Sequence, residues 1–482
     1  MQQLSGVDAM FLNLETGAQF GHVSSICIYE PGTITYESVL ANVAERLHQI
    51  PPFTRKLVEV PLGLDHPYWI ADPDFDLEFH VRNTALPAPG DDRQLAKLVE
   101  RLISKPLDRA RPLWELWVIE GLSGGRVAQL TKVHHATIDG AAGVELLGVL
   151  LDTAPEGREI PTGDLPRGEV APSTVELLAR TALSWARRPR RGVRVVVDAT
   201  RQLATATRNP LLAAMVSDPV LRLLPGQPRR RPDPEDLPPR LMGRAPRTSF
   251  NGVVGSHRGF AFESLSLAEV KEVKSAFGAT VNDVVMELCA GALRRYLDKR
   301  NELPDEPLMA FVPVSLRTGL EDDPYSNRVS GLIAPLATHL ADPVARLQEI
   351  SRSMKASKGI HDALPAETLQ QIAEFAPPAL ANRALRLMNR LRVADRTSPP
   401  FNVTISNVPG PRIPLYQSGT KLLHYIPVST VGDGSGINIT VQSYLGTVDV
   451  GVVTCRELVP DPWEITTGMA DELADLLELA RT

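Results

Sequence analysis

The nine residues from Lys132 to Gly140 read KVHHATIDG, and they join the end of a strand to the start of a helix. The preceding run, Arg126 to His134, predicts a buried strand, and Ala141 to Leu151 carries apolar residues at helical spacing. Neighbouring side chains on a strand point to opposite faces, so only one of His134 and His135 can face a given pocket. Because histidine titrates near neutral pH and can act as a general base, this junction is the main candidate for chemistry.

Other interpretations of this junction remain open. Both histidines can be purely structural, and Asp139 can cap the following helix or join a buried ion pair. A His-His-x-x-x-Asp set could also contribute to a metal site, but the sequence offers no evident third or fourth ligand. No metal is therefore expected.

The pattern on either side of the junction predicts α/β domains. Leu113 to Ile119 and Arg126 to His134 predict two strands joined by a glycine-rich turn, and a helix is expected at Val281 to Leu297. Near the end of the chain, the predicted elements are strands at Ile437 to Tyr444 and at Thr447 to Thr454, followed by a helix at Pro462 to Ala480.

Composition narrows the class of protein. The chain has 482 residues, 43% of them hydrophobic and 22% charged, which is typical of globular domains. The net charge of −6 argues against a nucleic-acid-binding protein. The cysteines, Cys27, Cys289 and Cys455, lie far apart and favour a reducing, intracellular location. The first residues lack the features of a secretory signal, and the apolar stretch from Val329 to Ala341 is too short to span a bilayer, so a soluble or peripheral protein is expected.

One segment differs in composition from the rest. Arg187 to Arg247 holds 14 arginines, no lysine and five acidic residues, a local charge of +9 against −15 elsewhere. We expect residues 181–250 to be an Arg/Pro-rich crossover linker between an N-terminal domain, 1–180, and a C-terminal domain, 251–482. Alternatively, some of these arginines face the phosphates of a lipid surface or of a nucleotide-bearing substrate.

The motif residues His134, His135, Asp139 and Gly140 match the HHxxxDG signature of the CoA-dependent acyltransferase superfamily. Further stretches, in order along nearly the whole chain, resemble the bacterial bifunctional wax ester synthase/diacylglycerol acyltransferase family, in particular the mycobacterial triacylglycerol synthases. These stretches are Leu4 to Leu12, Pro106 to Trp114, Asn282-Asp283, Val312 to Arg317, Ser406 to Pro411 and Asn438 to Tyr444.

Several of these stretches also have a structural interpretation. Ser5-x-x-Asp8 and Thr280-x-x-Asp283 are capping-box patterns, so both aspartates can simply start helices. Trp114 can be a packing residue of a core strand. Ser406 to Pro411 has the local composition of a rigid turn.

The resemblance implies two chloramphenicol-acetyltransferase-like α/β domains with a tunnel at their interface, where acyl-CoA and an acceptor alcohol meet. His135 would be the general base, supported by His134, Asp139 and Gly140. The implied roles elsewhere are orientation of the site by Asn282 and an ion pair between Arg317 and Asp139. Direct transfer needs no cofactor beyond acyl-CoA as co-substrate.

The expected reaction is transfer of a long-chain acyl group to diacylglycerol to make triacylglycerol. Alternatives are wax ester synthesis with a long-chain alcohol as acceptor, and a catalytically silent relative that binds lipid surfaces. A condensation domain is disfavoured because no carrier or adenylation module accompanies the chain. We expect a cytoplasmic enzyme at the inner membrane or at lipid droplets, without a nucleic-acid partner.

Overall fold

The computed structural model describes residues 1–138, 140–184, 245–315, 329–363, 387 and 390–482. Asp139, Arg317 and most of the expected linker lie outside these ranges. Within them, the strands form two mixed six-stranded sheets and one three-stranded sheet. The strands are β1 (Gln2–Gln3), β2 (His22–Tyr29), β3 (Arg55–Val58), β4 (Tyr68–Ala71), β5 (Val81–Ala85), β6 (Trp114–Glu120), β7 (Val127–His134), β8 (Arg258–Ser266), β9 (Met309–Ser315), β10 (Val329–Pro335), β11 (Val403–Pro409), β12 (Tyr416–Gln417), β13 (Thr420–Val428), β14 (Ile437–Tyr444) and β15 (Thr447–Cys455).

Helices cover and connect these sheets. Those described are α1 (Gly6–Leu14), α2 (Tyr36–Arg46), α3 (Leu77–His80), α4 (Asp92–Ile103), α5 (Gly140–Leu150), α6 (Leu267–Phe277), α7 (Val281–Asp298), α8 (Pro343–Ala363), α9 (Val393–Arg396) and α10 (Trp463–Arg481). The predicted helices after the histidine motif, at 281–297 and at the end of the chain therefore occur as α5, α7 and α10.

The first six-stranded sheet has the order β12-β13-β2-β7-β6-β5. β6 and β7 form the predicted antiparallel hairpin, with Trp117 opposite Leu130. β2 runs antiparallel to β7 and places His22 opposite His134. The other neighbour of β2 is β13, which comes from the second half of the chain. The two halves therefore share this sheet.

The second six-stranded sheet has the order β10-β9-β11-β14-β15-β8. Its central strands contribute fully buried residues such as Ile405, Ile439 and Val450, which pack in one core with residues of α7 and α10. α7 begins at a complete capping box, in which Thr280 and Asp283 satisfy each other's backbone N–H groups. The predicted capping interpretation of this motif is confirmed.

The two large sheets approach each other closely where β13 crosses β15. A side chain at Gly451 would place its Cβ 1.7 Å from the carbonyl oxygen of Pro427, so only glycine fits there. Two residues before Pro427 in β13, the N–H of Tyr425 donates to the buried carboxylate of Asp449 at 2.9 Å. This contact fixes the spacing of the sheets beside the cavity described below.

The described helices were compared with the length and composition that a membrane span requires. None of them alone has the length and apolar composition of a span, although α6 and α7 together pass this test with a bend of 101° between them.

Candidate active site

A cavity of about 440 Å³ lies between the two six-stranded sheets, and both halves of the chain line it. Much of its wall is apolar and includes Ile138, Leu146, Leu147, Leu150, Tyr425 and Val428. The polar lining residues are Ser24, Ser25, Thr131, His135, Thr404, Ser406, Asn407, Ser429, Asn438, Thr440 and Gln442. An apolar pocket with a few polar groups is the usual form of a small-molecule site.

His135 stands directly after β7 and lines this cavity. Its backbone N–H donates to the carbonyl oxygen of Gly21 at 2.8 Å. Its ring stacks on Phe11, with centroids 4.0 Å apart and planes 8° from parallel. Thr131 and Val133 also line the cavity, as the alternation of a strand requires. The stacked ring is thus held in a fixed orientation at the cavity wall.

His134 points away from the cavity and is 1% exposed. Its Nδ1 accepts the backbone N–H of Ala136 at 3.0 Å, so in the neutral ring the proton is on Nε2. Nε2 lies 3.2 Å from Glu15 Oε1, a close electrostatic contact without good hydrogen-bond alignment. These contacts shape the turn that carries His135.

Gly21 leaves the space that the His134 ring needs. A Cβ at this position would lie 2.5 Å from His134 Nε2. The Gly21 N–H donates to Glu15 Oε1 at 2.8 Å, and its carbonyl accepts the N–H of His135. Any side chain here would move one of the two histidines.

Glu15 is a residue of the site that sequence reasoning missed. Its Oε2 accepts two hydrogen bonds from Arg109, at 3.1 Å from Nε and at 2.8 Å from Nη2. Burial alone raises the pKa of Glu15, but the contacts with His134, Gly21 and Arg109 outweigh it and lower the pKa to about 2. Glu15 and Arg109 are 94 residues apart in the sequence, so no local sequence pattern indicates that they form a pair.

Asn282 lies in the first turn of α7, behind the cavity wall. Its Oδ1 accepts a hydrogen bond from Nδ2 of Asn407, a lining residue, at 3.3 Å. The neighbouring Asp283 accepts from the hydroxyl of Ser351 at 3.1 Å as well as capping the helix. The structure therefore brings Asn282 next to a cavity residue, and its role in orienting the site stays a prediction.

The structural interpretations of Trp114 and of Ser406 to Pro411 have opposite outcomes. Trp114 is a packing residue, as expected: it is fully buried, stacks on Phe53 and donates Nε1–H to the carbonyl of Phe53 at 2.8 Å. The expected turn at Ser406 to Pro411 is wrong, because Ser406 to Pro409 belong to β11. That strand is paired in parallel with β14 and with β9, and these remote partners leave no trace in the local composition.

The remaining motif residues are only partly described. Gly140 is the first residue of α5. Asp139 and Arg317 lie outside the described residues, so their pairing stays a prediction.

Comparison with known sequences identifies the family. The model of the wax ester synthase/diacylglycerol acyltransferase catalytic domain matches residues 4–285, and that of the family's C-terminal domain matches residues 325–477. The Mycobacterium tuberculosis protein tgs2, named a probable diacylglycerol O-acyltransferase, is 36% identical over 97% of this chain and 97% of its own. The O-acyltransferase WSD of Acinetobacter baylyi is 34% identical over 98% of this chain and 96% of its own.

Solved structures agree with this assignment and confirm the expected fold class of two chloramphenicol-acetyltransferase-like α/β domains. The wax ester synthase/diacylglycerol acyltransferase from Marinobacter aquaeolei VT8 has a TM-score of 0.69 and 30% identity, with all of both chains covered. The starter condensation domain of rhizomide synthetase RzmA shares the fold, with a TM-score of 0.56 at 12% identity over 100% of this chain and 94% of its own. The chain belongs to the wax ester synthase/diacylglycerol acyltransferase family.

Proposed function

We propose that the chain is an acyl-CoA-dependent O-acyltransferase that transfers a long-chain acyl group to diacylglycerol, with His135 as the general base. The observation that carries this proposal is the placement of the His135 ring on the wall of a largely apolar cavity between the two halves. The family of the chain and the names of its relatives support the same reaction class.

In the proposed mechanism, His135 removes the proton of the acceptor hydroxyl as its oxygen attacks the thioester carbonyl of acyl-CoA. The new C–O bond forms, the C–S bond breaks, and the CoA thiolate takes the proton from His135. No acyl-enzyme and no cofactor are needed. Stacking on Phe11 orients the base, and general-base help of this kind is worth roughly 10²- to 10⁴-fold.

A long-chain alcohol is the alternative acceptor. The relative from Marinobacter aquaeolei is named for both activities, and at 30% identity it covers the whole chain. The apolar wall formed by Leu146, Leu147 and Leu150 suits an alkyl chain of either acceptor. A catalytically silent lipid-binding role is disfavoured because it leaves the fixed His135 ring without a purpose.

The decisive experiment offers the purified protein radiolabelled palmitoyl-CoA with diacylglycerol and hexadecanol in competition, and resolves the products by chromatography. We expect triacylglycerol as the main product. His135→Ala should lower kcat by at least about 100-fold while the protein stays folded. His257→Ala, at an exposed histidine that does not line the cavity, is the matched control and should keep full activity. Full activity of His135→Ala would refute the assignment of the base.

We also propose that Asp139 is structural and paired with Arg317. If this pair is buried, removing either partner should cost about 3–5 kcal/mol and misplace His135. Asp139→Asn and Arg317→Met should each lower the melting temperature, and the double variant should lose less than the sum. Strictly additive losses would contradict the pairing.

Peripheral attachment to a membrane or lipid droplet is part of the proposal. The acceptor is insoluble in water, and the excess of +9 charges from Arg187 to Arg247 suits an anionic leaflet. Flotation with anionic vesicles should weaken at high salt and after replacement of the arginines between Arg187 and Arg191 by glutamine. Binding that ignores both changes would refute this role of the segment.

A further inference from the structure

Gln442 carries an unusual polar group in the cavity wall. The residue lies on β14, lines the cavity and is only 3% exposed. Its Nε2 has no hydrogen-bond partner in the described part of the chain. Leaving a buried donor unpaired is costly, so such a group calls for an explanation.

The neighbours of Gln442 are already paired with one another. Asn438 and Thr440 share its face of β14, and the Thr440 hydroxyl donates to Asn438 Oδ1 at 2.8 Å. Asp449 is opposite Gln442 in the strand register, but its carboxylate accepts from the Ser264 hydroxyl at 2.6 Å and from the Tyr425 N–H at 2.9 Å. The Nε2 of Gln442 is therefore unpaired, although its neighbours Asn438, Thr440 and Asp449 have partners.

A second unpaired group lies on the other side of the cavity. Ser24, on β2 of the first sheet, also lines the cavity, and its buried Oγ lacks a partner among the described residues. Outside the cavity, Gln129 has an unpaired Nε2 too, but its Oε1 accepts the hydroxyl of Tyr29 at 3.2 Å. Gln129 thus provides a matched comparison for a buried glutamine away from the cavity.

We propose, building on the function above, that the Gln442 carboxamide donates a hydrogen bond to a carbonyl oxygen of the bound substrate. The last torsion of a glutamine side chain is soft, so the amide can turn its NH₂ group toward the cavity. Carbonyl oxygens occur both in the acyl-CoA and in the ester groups of diacylglycerol, whereas hexadecanol has none. A donor aimed at the acceptor therefore favours diacylglycerol over a fatty alcohol, and one aimed at the acyl-CoA serves both acceptors equally.

The test replaces Gln442 with methionine, which keeps the size of the side chain and removes the donor. kcat/KM is measured with palmitoyl-CoA and either diacylglycerol or hexadecanol. A loss of roughly 3- to 10-fold confined to diacylglycerol supports donation to the acceptor ester, since one neutral hydrogen bond has about this value. The same loss with both acceptors supports donation to the acyl-CoA. Unchanged kinetics with both acceptors would overturn the proposal. The amide of Gln442 would then bind water and not the substrate.

Stability measurements separate this role from a structural one. Gln442→Met removes an unpaired buried donor, so its melting temperature should equal or exceed that of the wild type while activity falls. Gln129→Met removes an acceptor of the buried Tyr29 hydroxyl, so it should melt lower and keep the wild-type ratio between the acceptors. A drop in melting temperature for Gln442→Met as large as that for Gln129→Met would also count against the proposal. The two failures are distinguishable. A wild type that acylates neither acceptor contradicts the proposed function, whereas an active wild type with an equally active Gln442→Met variant contradicts the role of Gln442.

Discussion

Glu15→Gln tests whether the carboxylate beneath the histidine turn stabilises the enzyme through its charge. The side chain is 11% exposed and faces Arg109 and His134. A pKa that falls from 4.5 to about 2 corresponds to about 3 kcal/mol of stability at neutral pH. That is a large share of the 5–15 kcal/mol that typically holds a protein folded. Because the turn shifts, kcat should also fall by roughly 10-fold or more.

The stability that the Glu15 carboxylate contributes should decrease as the pH falls. The pKa of Glu15 is lower in the folded state, so its contribution is complete above the unfolded value of 4.5 and disappears as the pH falls toward about 2. Urea unfolding followed by tryptophan fluorescence should therefore give a difference of about 3 kcal/mol between wild type and Glu15→Gln at pH 7. The difference should shrink steadily between pH 4.5 and pH 3.

Glu59→Gln is the matched control. Glu59 contacts the same Arg109 at 3.1 Å but is 64% exposed, so its loss should cost no more than about 1 kcal/mol. Equal destabilisation by Glu15→Gln and Glu59→Gln would refute the reasoning, because burial of Glu15 would then add nothing to the strength of its contact with Arg109. A difference for Glu15→Gln that stays constant down to pH 3 would refute the electrostatic origin.

Three further substitutions test the packing near the site and a buried ion pair among the helices of the second half. Gly451→Ala forces a Cβ against the Pro427 carbonyl and should lower the melting temperature by several degrees, as scanning calorimetry would show. Gly21→Ala displaces the His134 ring and should reduce kcat more than it reduces the affinity for palmitoyl-CoA, measured by steady-state kinetics. Arg346 of α8 is buried and pairs with Glu287 of α7 and Glu472 of α10. Glu472 also pairs with Arg295, so Arg346→Met chiefly removes the cation of Glu287 and should cost about 3–5 kcal/mol in urea unfolding.

Local patterns in the sequence predicted individual elements well. The hairpin before the histidines, the helix from Val281 and the strand from Ile437 all occur within a residue or two of the expected bounds. Each depends on alternation, helical periodicity or a cap, which are properties of a few neighbouring residues. Alternation likewise predicted that only one of the two histidines faces the cavity, and the resemblance to the family selected His135.

Contacts between remote segments could not be predicted in this way. Glu15 acquires its role from Arg109, and β11 is a strand because β14 and β9 lie beside it. The unpaired amide of Gln442 is equally invisible, since its state depends on which neighbours are already paired. Resemblance to a family supplied the function of the histidine motif, but it did not supply these supporting contacts.

β13 belongs to the second half of the chain but pairs with β2 in the first six-stranded sheet, and this affects folding during synthesis. The N–H of Thr33, just after β2, bonds to the hydroxyl of Thr420, 387 residues later. At roughly 5–20 residues per second, the ribosome needs about 20–80 s to deliver this partner. During that interval β2, with its apolar sequence ICIY at residues 26–29, presents an open edge to other nascent chains. The yield of folded enzyme should therefore depend on chaperones that shield this edge until β13 has been synthesised.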